Sequence, residues 1–253
     1  VITEVTVKIL RTPEVVKAAL IGFPTIEDAG NCVAEIIAQG CIPAGMEIMD
    51  KALTKATNDY SKAGYPTDAE GMMIVEFDGT EHEVNAYIEK VKNIAEKNNS
   101  SSLKISKSND ERLKFWAGRK AAFPACGVLA PDYMCMDGSI PRGKLAEVLN
   151  EITRLSKKYN LPVANAFHAG DGNLHPLIMF DANDPEELKK CEEFGADILK
   201  YCVKVGGALT GEHGVGIEKR ELMCEAFNDK DIQQQLTIKV ALDPNSLLNP
   251  GKV

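Results

Sequence analysis

Three stretches of the chain repeat one local plan: an apolar strand ending in Phe, a short polar corner, and an amphipathic helix closed by Gly or Asn. They cover residues 18–40, 72–98 and 177–206. In the first, Thr25 is followed three residues later by Asp28, a capping pattern that satisfies orphan N–H groups at a helix start. Thr80 and Glu83 repeat the device in the second, where Val84, Ile88, Val91 and Ala95 recur every three or four residues and give the helix one apolar stripe. Short strand candidates at 46–49, 103–106 and 133–137, and a helix over 141–159, lie between these units. Strands that alternate with helices yet also meet in a hairpin predict an α+β fold, a ferredoxin-like antiparallel sheet with helices on one face. A doubly wound sheet fits less well, because no glycine fingerprint follows an early strand.

The 253 residues suffice for a core in one or two domains. Lys and Arg total 29 against 37 Asp and Glu, a formal charge of −8 with no basic block, so no nucleic-acid partner is expected. No apolar run approaches the roughly 18 to 20 residues of a transmembrane segment, and the first residues lack a signal-peptide pattern; a soluble, cytoplasmic protein is the expectation. The seven Cys contain no C-x-x-C pair and read as packing residues. Ile2, Val5, Val7 and Ile9 alternate with Thr and Lys as in a strand, without a partner before them, and suggest a strand that belongs to something upstream. Residues 243–253, DPNSLLNPGKV, are rich in turn formers.

Three of the four His fall inside two Gly-rich motifs. In NAFHAGDGNLHP, residues 165–176, Asp171-Gly172 is a two-residue hairpin signal. That loop would pair Gly170 with Asn173, Ala169 with Leu174 and His168 with His175, and directly opposed residues carry Cβ atoms about 4.5 to 5.5 Å apart. Two converging imidazoles can hold a divalent metal if a third ligand arrives; a hydrogen-bonded His pair is the plain alternative. The second motif, GGALTGEHGVG at 206–216, sets Glu212 and His213 among five glycines, which let the backbone approach a ligand closely. It is neither a dinucleotide fingerprint nor a Walker loop. Glu212 as third ligand gives the two-His-one-carboxylate set of catalytic zinc and non-haem Fe(II). Adjacent residues seldom both bind one ion, which leaves His213 free to act as a base. In a helix over 109–124, Trp116 and Arg119 share one side, and an Arg beside an aromatic suits bidentate capture of a carboxylate; a surface ion pair is the bland alternative.

NAFHAGDGNLHP, GGALTGEHGVGIEKR and DPNSLLNPGKV resemble the C-terminal half of the flavin subunits of glycolate oxidases and related D-lactate dehydrogenases, within the vanillyl-alcohol oxidase superfamily. YPTDAEGMMIVEFDG and YMCMDGSIPRGKL extend the likeness to essentially the whole chain. The resemblance implies an FAD-dependent 2-hydroxy acid oxidoreductase built from an FAD-binding domain, a substrate or cap domain, and a tail that returns to the flavin. On that plan residues 1–10 are the last strand of an FAD-binding domain outside this chain, 11–241 the cap domain and 242–253 the tail, with Thr3 and Asn249 as candidate flavin contacts. It also implies a divalent metal, Zn or Mn/Fe, on His168, His175 and Glu212, with His213 as catalytic base and Arg119 on the substrate carboxylate. Relatives that act on a longer diacid carry Thr and Lys where Phe123 and Cys135 stand here, which favours a small 2-hydroxy acid, glycolate or D-lactate. Implied partners are the FAD-binding domain and an iron-sulfur subunit or electron-transfer flavoprotein, with peripheral membrane association through such subunits as an alternative location. The chain alone is expected to be inactive. Two other classes compete: a flavin-independent metalloenzyme using the same three ligands, and a metal-free cap whose His pair only shapes a binding pocket.

Overall fold

The computed structural model describes residues 2–252. The apolar run Val15–Phe23 forms β1, and the Thr25 hydroxyl accepts the Asp28 N–H to start α1, Ile26–Ala38. There follow β2 (Gly45–Asp50), α2 (Lys51–Ser61), β3 (Gly71–Gly79), α3 (Glu81–Lys97), β4 (Ser102–Ile105), α4 (Asn109–Lys120), α5 (Ala122–Cys126), β5 (Asp132–Cys135) and β6 (Gly138–Ser139). The remaining elements are α6 (Leu145–Tyr159), β7 (Val163–His168), β8 (Asn173–Phe180), α7 (Pro185–Lys204), α8 (Met223–Ala226) and α9 (Asp229–Leu242). Both arms of the Thr80–Glu83 capping box form at the head of α3.

The strands make one antiparallel sheet in the order β4-β1-β3-β2-β7-β8-β5, with β6 also on β8. The first four strands have a ferredoxin-like order, and β7, β8 and β5 repeat part of it. The halves meet where β2 pairs with β7, Ile48 against Phe167 and Met49 against Ala166. The antiparallel α+β fold expected from the sequence is the one that forms, with a further layer. Ile21, Phe77, Ile48 and Phe167 pack under α1, α3, α6 and α7, whereas Leu20, Met49, Ile74 and Leu177 pack under α2, α4 and α5 on the other face. Two helical layers follow because the central strands are apolar on both sides; β8 is buried at every position, and a strand of that kind carries no alternation that leaves one face to water.

The strand expected over residues 1–10 is absent among the described residues: 2–13 adopt no regular structure, and Ile2, Val5, Val7 and Ile9 stand exposed. Among the described residues no strand pairs with them to complete a ladder. Val1 and Val253, at the ends of the expected strand and tail, lie outside the described residues. The tail is a series of turns tied back by Asp243, which accepts from the N–H groups of Leu247 and Leu248, and by Arg220, which donates to the Gly251 carbonyl. No helix among the described residues is long and apolar enough to cross a membrane.

Candidate active site

The β7–β8 hairpin sets His168 and His175 on the sheet. Its register pairs Ala166 with His175, Phe167 with Leu174 and His168 with Asn173, so the loop is the four residues 169–172 and not the expected Asp171-Gly172 pair. Gly170 N–H is taken by the Met46 carbonyl of β2, and the N–H groups of Asp171 and Gly172 both return to the His168 carbonyl, which ends the ladder early. Gly172 has φ 78°, where a side chain would be strained, and an added Cβ would lie 2.2 Å from the Ile140 carbonyl oxygen. The slip is two residues, one full side-chain period, so both imidazoles keep a common face and meet diagonally with ring centroids 5.1 Å apart.

Extending the β2–β7 register by one residue sets Glu47 opposite His168, and its Oε1 lies 2.8 Å from His168 Nδ1. Its Oε2 accepts from Arg119 Nε at 3.1 Å and Nη2 at 3.0 Å. Trp116 and Arg119 do share a side of α4 but address different carboxylates: Trp116 Nε1 donates to Glu76, which also accepts from Arg112. Arg119 is buried, with its Nε edge occupied by Glu47.

Glu212 and His213 reach the hairpin because Asp137, in the link between β5 and β6, is wholly buried and gathers the Gly-rich loop around its carboxylate. It accepts from Thr210 Oγ1 at 2.8 Å, from the N–H groups of Gly211, Glu212 and His213 at 2.9, 3.1 and 3.0 Å, and from Lys219 Nζ at 3.1 Å. Glu212 Oε1 thereby sits 3.4 Å from His175 Nε2, 3.6 Å from His168 Nε2 and 3.9 Å from His213 Nε2. Among the sequence candidates, His168, His175, Glu212 and His213 come together, with Arg119 one residue away through Glu47. Thr3 and Asn249 are exposed and have no hydrogen bond to these residues, although Lys252 of the tail lines a cavity of about 350 Å3 with Cys135 and His213.

The donor set suits a divalent cation. His175 is 2% exposed and its Nε2 has no hydrogen-bond partner among the described residues, an arrangement that disfavours the fold unless something occupies that nitrogen. Glu47 holds His168 Nδ1 and leaves Nε2 for ligation, as outer carboxylates do around metal-bound imidazoles. Ligand atoms of His168, His175 and Glu212 lie within 4.8 Å of one another, as do those of Cys135, His175 and His213. Burial pushes the Cys135 thiol up to about 12, so it presents S–H at neutral pH and the first set is the better one. The Glu47 hydrogen bond raises the His168 pKa against the effect of burial, whereas burial, then the neighbouring His168, lowers His175 to about 4. Burial alone would raise Asp137, but the His213 N–H, the Thr210 hydroxyl, the Glu212 N–H and Lys219 outweigh it and hold the carboxyl well below the usual range.

Glu47, Asp137 and Lys219 were not among the sequence candidates. The usable signal for Glu47 is a charged residue inside the apolar run of 45–50, which must find a partner if that run is a buried strand.

Residues 12–253 match the family described as FAD linked oxidases, C-terminal domain. The chain is 51% identical over 252 residues to the glycolate oxidase subunit GlcD of Escherichia coli (strain K12), which covers 100% of this chain and 50% of that protein. It is 31% identical over 255 residues to the mitochondrial D-lactate dehydrogenase (cytochrome) of Arabidopsis thaliana, over 100% of this chain and 45% of that one. The chain thus spans about half the length of the curated relatives it matches. Among solved structures, 4-ethylphenol oxidase from Gulosibacter chungangensis aligns with a TM-score of 0.70 at 16% identity, over 96% of this chain and 54% of that chain, and p-cresol methylhydroxylase with 0.69 at 16%, over 95% and 53%. At such identity the structures share the fold alone. With the family match running from residue 12 to the last residue, the chain belongs to the C-terminal domains of the FAD-linked oxidases.

Proposed function

We propose that this chain is the substrate-facing part of an FAD-dependent oxidoreductase that converts a small 2-hydroxy acid, glycolate or D-lactate, to the 2-oxo acid. The observation that carries the reading is the buried, unpartnered His175 Nε2, 3.4 Å from Glu212 Oε1 and on the same face as His168 Nε2. His168, His175 and Glu212 hold a divalent ion, Zn or Mn/Fe. When bound, that ion supplies Lewis acidity that lowers the pKa of a substrate hydroxyl, and FAD supplies the hydride acceptor. His213, half-exposed beside Glu212, takes the hydroxyl proton as general base. Arg119 keeps one edge on Glu47 and turns Nη1, which has no hydrogen bond among the described residues, to the substrate carboxylate. Phe123 meets the His175 ring edge-on with centroids 6.1 Å apart, and Cys135 stands beside it; neither offers a charge for a second carboxylate, which supports a short acid.

Residues 1–10 and 242–253 belong, on this reading, to the contact with an FAD-binding domain, where Thr3 and Asn249 are the candidate flavin contacts. Their exposed apolar side chains, Ile2, Ile9, Leu242 and Leu247 among them, support that assignment. Electrons leave through an iron-sulfur subunit or an electron-transfer flavoprotein. The test is oxidation of glycolate and D-lactate by the flavin-loaded protein that contains this chain, followed with an artificial electron acceptor. His213→Ala should lower kcat by about 10^2- to 10^4-fold, with substrate affinity little changed. An unaltered kcat would remove His213 from the role, and no turnover of either acid would reject the substrate class.

A further inference from the structure

We propose that Glu47 is the positioning residue of the site: one buried carboxylate fixes both the ligating nitrogen of His168 and the edge of Arg119 that meets the substrate. The inference rests on the metal reading above and extends it to the shell behind the ligands. A Glu in the interior of a buried strand disfavours folding unless both its oxygens are paired. Glu47 is 8% exposed, and the two oxygens are divided between two functional side chains. Oε1 faces His168 Nδ1 at 2.8 Å. A neutral imidazole has one N–H and one bare nitrogen, so a carboxylate at Nδ1 draws the proton there and leaves Nε2 bare toward Glu212, 3.6 Å away. Oε2 alone spans Arg119 Nε and Nη2, which occupies one edge of the guanidinium and leaves the edge at Nη1 for a second carboxylate. β2 and β7 are paired directly only at Ile48–Phe167 and Met49–Ala166, so Glu47 also ties β2, β7 and α4 together at the site.

His175 is the internal control, since its Nδ1 faces Cys135 Sγ at 3.5 Å and no carboxylate. The experiment is zinc titration by calorimetry of the chain, of Glu47→Gln, and of Glu47→Gln/Arg119→Met, in which no buried charge is left unpaired. It is joined by 15N spectra of the histidine rings of the metal-free wild-type chain at a pH where both rings are neutral. The expected result is one zinc site in the wild type, bound about 10- to 100-fold more weakly in both variants. The His168 ring should be protonated at Nδ1 in the wild type and become a tautomer mixture in the variants, while His175 is unchanged. Equal zinc affinity in wild type and variants, or a wild-type His168 ring protonated at Nε2, overturns the proposal. No zinc on the wild-type chain overturns the metal reading instead, and the ring spectra then decide the role of Glu47 alone.

Discussion

The two hairpin histidines share a face but not an electrostatic environment. Glu47 favours the charged form of His168, whereas burial holds His175 neutral down to about 4. A proton and a cation compete for His168 Nε2, so metal affinity should decline as pH falls through a value above the ordinary 6.5 of histidine. Zinc titrations across that range test this, and an affinity flat down to about 4 would assign the competition to His175 instead. Two carboxyls give stability opposite pH dependences. Burial raises Asp50 from 3.8 to about 6, against hydrogen bonds from Leu53 and Asn165, so the folded state keeps a proton that the unfolded chain loses. Its contribution is complete below 3.8 and is lost as pH rises through about 6. Asp137 is depressed, so its contribution is present above 3.8 and is lost as pH falls below that value. In Asp50→Asn, the decline in urea midpoint between 3.8 and about 6 should disappear; a decline of wild-type size would exclude Asp50 as its source.

Between elements, the decisive joint is the Gly-rich loop wrapped around Asp137, in the link between β5 and β6. Asp137→Ala would leave Lys219, 2% exposed, without its carboxylate and should cost about 3–5 kcal/mol in a urea or thermal unfolding measurement. Gly211→Ala acts on the same joint by shape: the new Cβ would lie 2.1 Å from Asn173 Oδ1 and 2.5 Å from Asp137 Oδ1. Displacing that backbone should move Glu212 and abolish zinc binding while the helical circular dichroism stays near wild type; retained zinc binding would show that the loop tolerates the shift. Local rules made much of this layer legible in the sequence. The three strand-corner-helix units, the Thr80 cap and the side shared by Trp116 and Arg119 all depend on neighbours within four residues. Non-local contacts were not legible. The hairpin register turns on Gly170 N–H reaching Met46 across the sheet, and Glu47 finds both partners on other elements. α2 buries Leu53, Thr54, Ala56 and Thr57, too polar a set to read as a stripe, and α9 buries none of its residues, so neither shows a clear apolar period.

At the scale of the whole molecule, one sheet carries two partly repeated halves, and the candidate site lies at their junction, where β2 meets β7. The His-rich motifs were legible there because they hold three of the four His, but the second helical layer over the site was hidden by strands apolar on both faces. Ile238, Val240, Leu242 and Leu247 are exposed along α9 and the tail, as are Ile2, Val5 and Ile9 at the other end of the chain. If an FAD-binding domain covers them, the chain alone should oxidise neither glycolate nor D-lactate and should self-associate in sedimentation experiments, and adding the flavin-binding portion should restore turnover and disperse the aggregates. Turnover without flavin would favour the independent metalloenzyme. On the proposed function, His168, His175 and Glu212 together hold one divalent ion. Elemental analysis of the chain purified without chelator or a His tag, beside His168→Ala, His175→Ala and Glu212→Ala, checks this. About one ion per wild-type chain is expected, with loss of it in each variant. A wild-type chain that holds no metal, even after zinc or manganese is added, would contradict it.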